Sequence, residues 1–215
     1  VGSRMTITNM SMEMGAKSAI MPPDTKVFEY LKARTDQKLV GVHADEGAAY
    51  EKELKYDVSQ IGPKVACPHS VDNVKDVEEV AGTEIHQAVL GSCTNGRVED
   101  LNAGARMLAG KQIHRSVRLI IAPASRQVYL DAMNEGLIQK FVKAGAVVIN
   151  PGCGPCLGAH EGIIAAGENC IASTNRNFQG RMGSTEAGIY LASPATVVAS
   201  AVAGVITDPR EGSTW

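Results

Sequence analysis

The chain of 215 residues carries 21 Lys+Arg against 23 Asp+Glu, a formal charge of −2 with its histidines neutral. That balance leaves no cationic excess to displace phosphate counterions, so no nucleic-acid partner is expected, while 44% apolar residues suffice for a core. The longest apolar stretch, 195–206, is too short to cross about 30 Å of hydrocarbon, so no membrane association is expected either.

In chain order, residues 9–20 read as a helix. Asp24 is placed to cap a second helix over 25–34, in which Val27, Phe28 and Leu31 share a face. KELKYDVS (52–59) alternates weakly, like an edge strand, and 62–86, with Pro63, Pro68 and Asn73, reads as a connector. From there the pattern becomes regular. QAVLG (87–91), VRLIIA (117–122), AVVIN (146–150) and CIAST (170–174) have strand length and Val/Ile richness. Helical patterns fall between and after them at 98–110, 125–145, 158–167 and 194–206, with Ser125 as an N-cap and Gly136, Gly145 and Gly167 as closing glycines. Such alternation specifies an α/β fold: a mostly parallel sheet with helices on both faces. The expected organisation is a partial α/β domain plus connector over 1–86, then an α/β domain over 87–215.

Five cysteines, an odd number, two of them in a C-x-x-C and with no export signal, point to reduced thiols in the cytoplasm rather than a disulfide framework. The chain opens on Val1 rather than Met, so a piece of a longer polypeptide is expected, and the tail REGSTW (210–215) reads in part as a cloning remnant.

Chemistry-bearing residues gather just after strands. The run 87–91 leads into S-C-T-N-G-R (92–97), 146–150 into P-G-C-G-P-C-L-G (151–158) and 170–174 into N-R-N-F-Q-G-R (175–181). In a parallel α/β sheet the carboxyl ends of strands share one edge, so these loops should converge and bring Cys93, Cys153 and Cys156 together. Three thiolates form a soft donor set suited to an iron–sulfur cluster or zinc. Glycines 152, 154 and 158 would let backbone approach an inorganic core, whereas His160 would complete a zinc site of three cysteines and one histidine. Cluster, zinc and neither remain open on spacing alone, and a zinc-stabilised interaction module without catalysis stands as the rival. Cys67 and Cys170, beside Pro68 and in an apolar run, read as buried structural thiols. Arg97, Arg176 and Arg181 offer guanidinium forks that match carboxylates, with surface ion pairing as their ordinary alternative. Asn9 and Glu13, four apart, would share a helix face.

The motifs GSCTNGR (91–97), NPGCGPCLG (150–158) and NRNFQGR (175–181), in this order, resemble the aconitase superfamily. The likeness is to its 3-isopropylmalate dehydratase and homoaconitase large-subunit branch, and to the carboxyl-terminal half of such subunits. TITNMSMEMGAKSAIMPPD (6–24) and PHSVDNV (68–74) extend it over nearly the whole chain. The resemblance implies a 4Fe–4S cluster on Cys93, Cys153 and Cys156, with one iron left for substrate. It implies Asn95 and Asn175 beside the cluster, Arg97, Arg176 and Arg181 on substrate carboxylates, and Asn9 and Glu13 as catalytic members. The implied reaction is hydro-lyase chemistry on a hydroxy di- or tri-carboxylic acid, of the leucine-biosynthetic type or alternatively a homoaconitase-type hydratase of lysine or coenzyme biosynthesis. Implied partners are the amino-terminal half of the large subunit and a small subunit carrying a swivelling domain and a serine base. This chain alone should turn over negligibly.

Overall fold

The computed structural model describes residues 1–211; the last part of the REGSTW tail, 212–215, lies outside the described residues. The chain divides into two compact units, Val1–Ile61 and Gly62–Trp215.

The first unit holds helix α1 (Gly2–Met10), a 3-10 turn (Ser11–Met14) and helix α2 (Thr25–Lys32). The Asp24 carboxylate accepts the Val27 amide at 3.1 Å, the expected cap, and pairs with Arg4 at 2.5 Å. The helix expected over 9–20 is displaced toward the amino terminus: α1 ends at Met10, and the 3-10 turn closes at Gly15, whose φ is +77°. The edge strand expected over 52–59 does not form. Residues 52–57 are irregular, and Asp57 accepts the Ser59 amide and hydroxyl at the start of a 3-10 turn (Val58–Gln60), a local bond that competes with strand pairing.

The second unit is built on seven strands: β1 (Lys64–Ala66), β2 (Val74–Asp76), β3 (Gln87–Gly91), β4 (Arg118–Ala122), β5 (Val147–Val148), β6 (Asn169–Ala172) and β7 (Gly188–Ala192). Their order is β2-β1-β7-β6-β3-β4-β5. Strands β7, β6, β3, β4 and β5 run parallel, with Val89 in register with Ile120 on one side and Ala172 on the other; β1 and β2 add antiparallel. Residues 62–86, read as a connector, therefore supply two strands of this sheet. Central β3 is buried along its whole length, as its unbroken apolar run requires.

Helices α3 (Val77–Val80), α4 (Val98–Leu108), α5 (Arg126–Asn134), α6 (Leu137–Lys143), α7 (Gly154–Leu157) and α8 (Pro194–Ala203) complete the unit. The larger core lies under α4, α6 and α8, where Leu90, Leu101, Ile121, Phe141, Val197 and Ile206 are all fully buried. Gly104 sets how closely α4 approaches: a Cβ there would stand 2.6 Å from Leu90 and 3.0 Å from Val198. The opposite face, expected to carry helices like the first, is covered differently. Val89, Ala172 and Ile189 pack under Ile164 and Met182, which come from irregular segments, and the single turn α7 brings Pro155 near Ile120 across Gly162.

The helix expected over 158–167 is absent. Gly158 caps α7 in the left-handed region at φ +61°, where a Cβ would meet the Met182 backbone at 2.7 Å, and the chain then bends through residues 159–161 before Ile164 bridges Gly183.

Candidate active site

Each loop of interest follows the carboxyl end of a parallel strand, and each is fixed by backbone geometry. After β3, Ser92 donates its amide to the Ala122 carbonyl at 2.9 Å from a φ of +87°, strained for a residue with a side chain. The Gly96 carbonyl accepts the Ala124 amide at 2.9 Å. The 91–97 loop thereby lies flat across the end of β4; a Cβ on Gly96 would stand 2.4 Å from the Ala122 oxygen. At its far end the Arg97 amide donates to Asp100 at 3.0 Å, opening α4, and the Arg97 guanidinium donates to the Cys93 carbonyl at 3.3 Å. Burial raises the Asp100 carboxyl above the usual carboxylate range.

The second loop leaves β5 with the Ile149 amide on the Ile121 carbonyl at 3.0 Å, then turns into α7, where Cys153 is the N-cap and Cys156 lies in the helical turn. Pro155 sits in the first turn, where its missing amide costs nothing. Of the three glycines expected to cradle an inorganic core, Gly158 is required by the Met182 backbone, and a Cβ on Gly154 would stand 2.9 Å from the exposed, movable His160 ring. Gly152 alone faces open space, its nearest neighbour being a carbonyl 3.9 Å off.

The third loop ties the other two. Asn95 donates to the Ser173 carbonyl at 2.5 Å and to the Asn175 side-chain oxygen at 3.2 Å. Arg181 donates from Nε to the Cys156 carbonyl at 2.9 Å and directs Nη2 at the Cys156 sulfur, 3.8 Å away. One bond set joins loop 91–97 to loop 173–181, and the next joins loop 173–181 to α7. Sequence reading gave Asn177 no role, yet it anchors the arrangement: buried to 1% exposure, its amide nitrogen donates to the Cys67 carbonyl at 2.8 Å and the Ile189 carbonyl at 3.2 Å. Its signal was its place inside the NRNFQGR motif.

The cysteines separate into two kinds, and all five are free thiols. Cys67 and Cys170 are buried, as expected of structural residues; burial raises both thiols, Cys170 to about 12. Cys93 and Cys153 are exposed and Cys156 half-buried. The loops are joined, but the sulfurs do not stand as a preformed cage: among the described residues no three or more Cys, His, Asp or Glu side chains are grouped closely enough to hold a metal ion. His160 is exposed, its ring 3.9 Å from Glu161. The donor set nevertheless fits an iron–sulfur cluster by its chemistry: accessible thiols on tethered loops, a guanidinium directed at one sulfur, and open space at Gly152.

Arg97 and Arg176 are partly exposed, and Asn175 is buried at 4% exposure. Asn9 and Glu13 lie in the first unit, Asn9 within α1 and Glu13 in the 3-10 turn beyond its end, both half-buried. The change of helix type between them removes the shared α-helical face that their spacing implied.

No described helix is long and apolar enough to cross a membrane. Comparison with known proteins gives the ancestry. The model of the aconitase family (aconitate hydratase) matches residues 1–204. The chain is 51% identical over 211 residues to the probable methanogen homoaconitase large subunit of Methanothermobacter thermautotrophicus, covering 98% of this chain and 49% of that protein. It is 53% identical over 212 residues to 3-isopropylmalate dehydratase large subunit 2 of Archaeoglobus fulgidus, covering 98% and 51%. To the 3-isopropylmalate dehydratase large subunit of Oleidesulfovibrio alaskensis it is 51% identical over 212 residues, covering 98% and 50%. The chain spans about half the length of the curated relatives it matches. With three strand-end loops tied together on a mostly parallel sheet and a family match over nearly all its residues, the chain belongs to the aconitase family.

Proposed function

We propose that this chain forms the cluster-bearing half of the large subunit of a cytoplasmic hydro-lyase, of the 3-isopropylmalate dehydratase type. The observation that supports it best is the tie between the three loops, through Asn95 to Ser173 and Asn175 and through Arg181 to Cys156. Cys93, Cys153 and Cys156 would hold a 4Fe–4S cluster that, when bound, supplies one iron without a protein thiolate as a Lewis acid for a substrate oxygen.

The chain's own residues bind and orient the substrate and move one of the protons. Arg176 and Arg181 bind the substrate carboxylates by their planar forks, with Arg97 as a third cation. Arg181, already held by the Cys156 carbonyl, loses little freedom on binding. A serine base on the small subunit takes the proton from the carbon beside the carboxylate, and Glu13 gives a proton to the leaving hydroxyl, so that water departs and a double bond remains. Asn9 orients the hydroxyl. Rehydration reverses both proton transfers with the two carbons exchanged, hydroxyl adding to the carbon that lost its proton and the proton to the carbon that lost its hydroxyl. The arginines stabilise the charge that collects on the carboxylate while the C–H bond breaks.

A homoaconitase-type substrate is the second reading, favoured by relatives of that name at 51% and 53% identity. Arg181→Lys in the complete two-subunit enzyme tests the assignment. Loss of the fork and of the tie to α7 should lower kcat/KM by about 100-fold, roughly 2.7 kcal/mol; unchanged kinetics would remove Arg181 from the site.

A further inference from the structure

Helix α4 follows the cysteine-bearing loop after β3 and α6 leads into β5, so both end toward the sheet edge where β4 and β5 begin. Between their carboxyl ends lies a cavity of about 770 Å³, within the range of small-molecule sites. Its rim carries Arg106, Lys111, Lys140 and Lys143, its lining includes buried Leu108 and Ala144, and among the described residues no Asp or Glu lines it.

Three of the four cations sit in the last turns of their helices, where a positive charge is favoured by the macrodipole and needs no ligand. That explanation covers their position along each helix but leaves a surplus. The two helix ends contribute roughly half a negative charge each, about one in total, against the three positive charges of Arg106, Lys140 and Lys143. Arg106, Lys140 and Lys143 take part in none of the ion pairs of the described residues. The fourth cation is brought there by a tight turn. Ala109 adopts the left-handed region at φ +44°, and the Lys111 amide donates to the Leu108 carbonyl at 2.6 Å, folding the chain back over the cavity. A half-open volume lined by apolar and cationic side chains selects its occupant by charge and by shape.

We infer that this cavity binds a small organic anion of two or more negative charges carrying an apolar group, at the sheet edge opposite Arg176 and Arg181. It stands independently of the reaction proposed above. The probes are phenyl phosphate and inorganic phosphate, titrated by calorimetry against the full 215-residue chain, with circular dichroism verifying the fold of every variant. Saturable binding of phenyl phosphate, tighter than inorganic phosphate and weakened by rising ionic strength, is expected. Lys140→Glu/Lys143→Glu should weaken it at least about tenfold, as should Arg106→Gln, which covers the case of a misfolded double variant. Arg176→Ala/Arg181→Ala should leave it unchanged. Absence of saturable binding, equal affinity for the two probes, indifference to the rim variants, or loss on Arg176→Ala/Arg181→Ala would each overturn the site.

Discussion

Burial sorts five chemically identical side chains into two functions. Cys170 sits at the start of β6 with no exposed surface, and its thiol, pushed up to about 12, stays protonated and inert at neutral pH. Cys67 behaves likewise for the same reason. Cys93, Cys153 and Cys156 reach solvent. Alkylation of the native protein with iodoacetamide should therefore modify these three, and Cys67 and Cys170 only after denaturation, as peptide mass mapping would read. Rapid native labelling of Cys170 would contradict the packing of the sheet. A contrast of the same kind separates the arginines: Arg181 is held by the Cys156 carbonyl and lies over the Phe178 ring at 5.1 Å, whereas Arg118 is committed to Glu168 by a two-bond fork and holds that carboxyl below its ordinary range.

Among the elements, the loop after β3 shows what close backbone contact demands. At Gly96 an added Cβ would meet the Ala122 oxygen at 2.4 Å and the Ser92 oxygen at 2.7 Å, both backbone atoms of the fixed frame, while Gly152 faces open space. Gly96→Ala should cost about 1–3 kcal/mol and Gly152→Ala less than about 0.5 kcal/mol, measured by denaturant unfolding; equal costs would contradict the packing of the first loop on β4. Strands β3 and β4 were legible in the sequence because buried parallel strands are continuous apolar runs. Strand β7 was not, because its burial alternates within five residues, and neither were β1 and β2, three residues each, whose lysines and Asp76 read as loop. The segment 158–167 carries apolar residues at helical spacing, but Gly158 and Gly162 both take positive φ, and Ile164 is buried by bridging rather than by a helix face. At the site, the loops and their cysteines could be read because strand-end position and residue type coincide. The ties through Asn95, Asn177 and Arg181 could not, since they are contacts across 78, 110 and 25 residues of chain with no local pattern.

For the whole molecule, the mostly parallel sheet is a device for collecting separated loops along one edge, in a chain that the aconitase-family model matches over residues 1–204. The chain spans about half the length of the curated relatives it matches, and under the proposed function it would supply cysteines, asparagines and arginines to a reaction completed by the rest of the enzyme. Under the proposed function it has to bring thiols from two loops, Cys93 from one and Cys153 and Cys156 from the other, onto one inorganic centre. Anaerobic reconstitution with iron and sulfide, followed by metal and sulfide analysis and the broad absorbance near about 400 nm, decides whether it does. The parent chain, Cys67→Ala and Cys170→Ala should each hold about four iron and four sulfide, and Cys93→Ser, Cys153→Ser and Cys156→Ser should each lose the 4Fe–4S centre. A full complement of iron and sulfide surviving any one of those three serine substitutions, or colourless binding of zinc in its place, would contradict the shared centre.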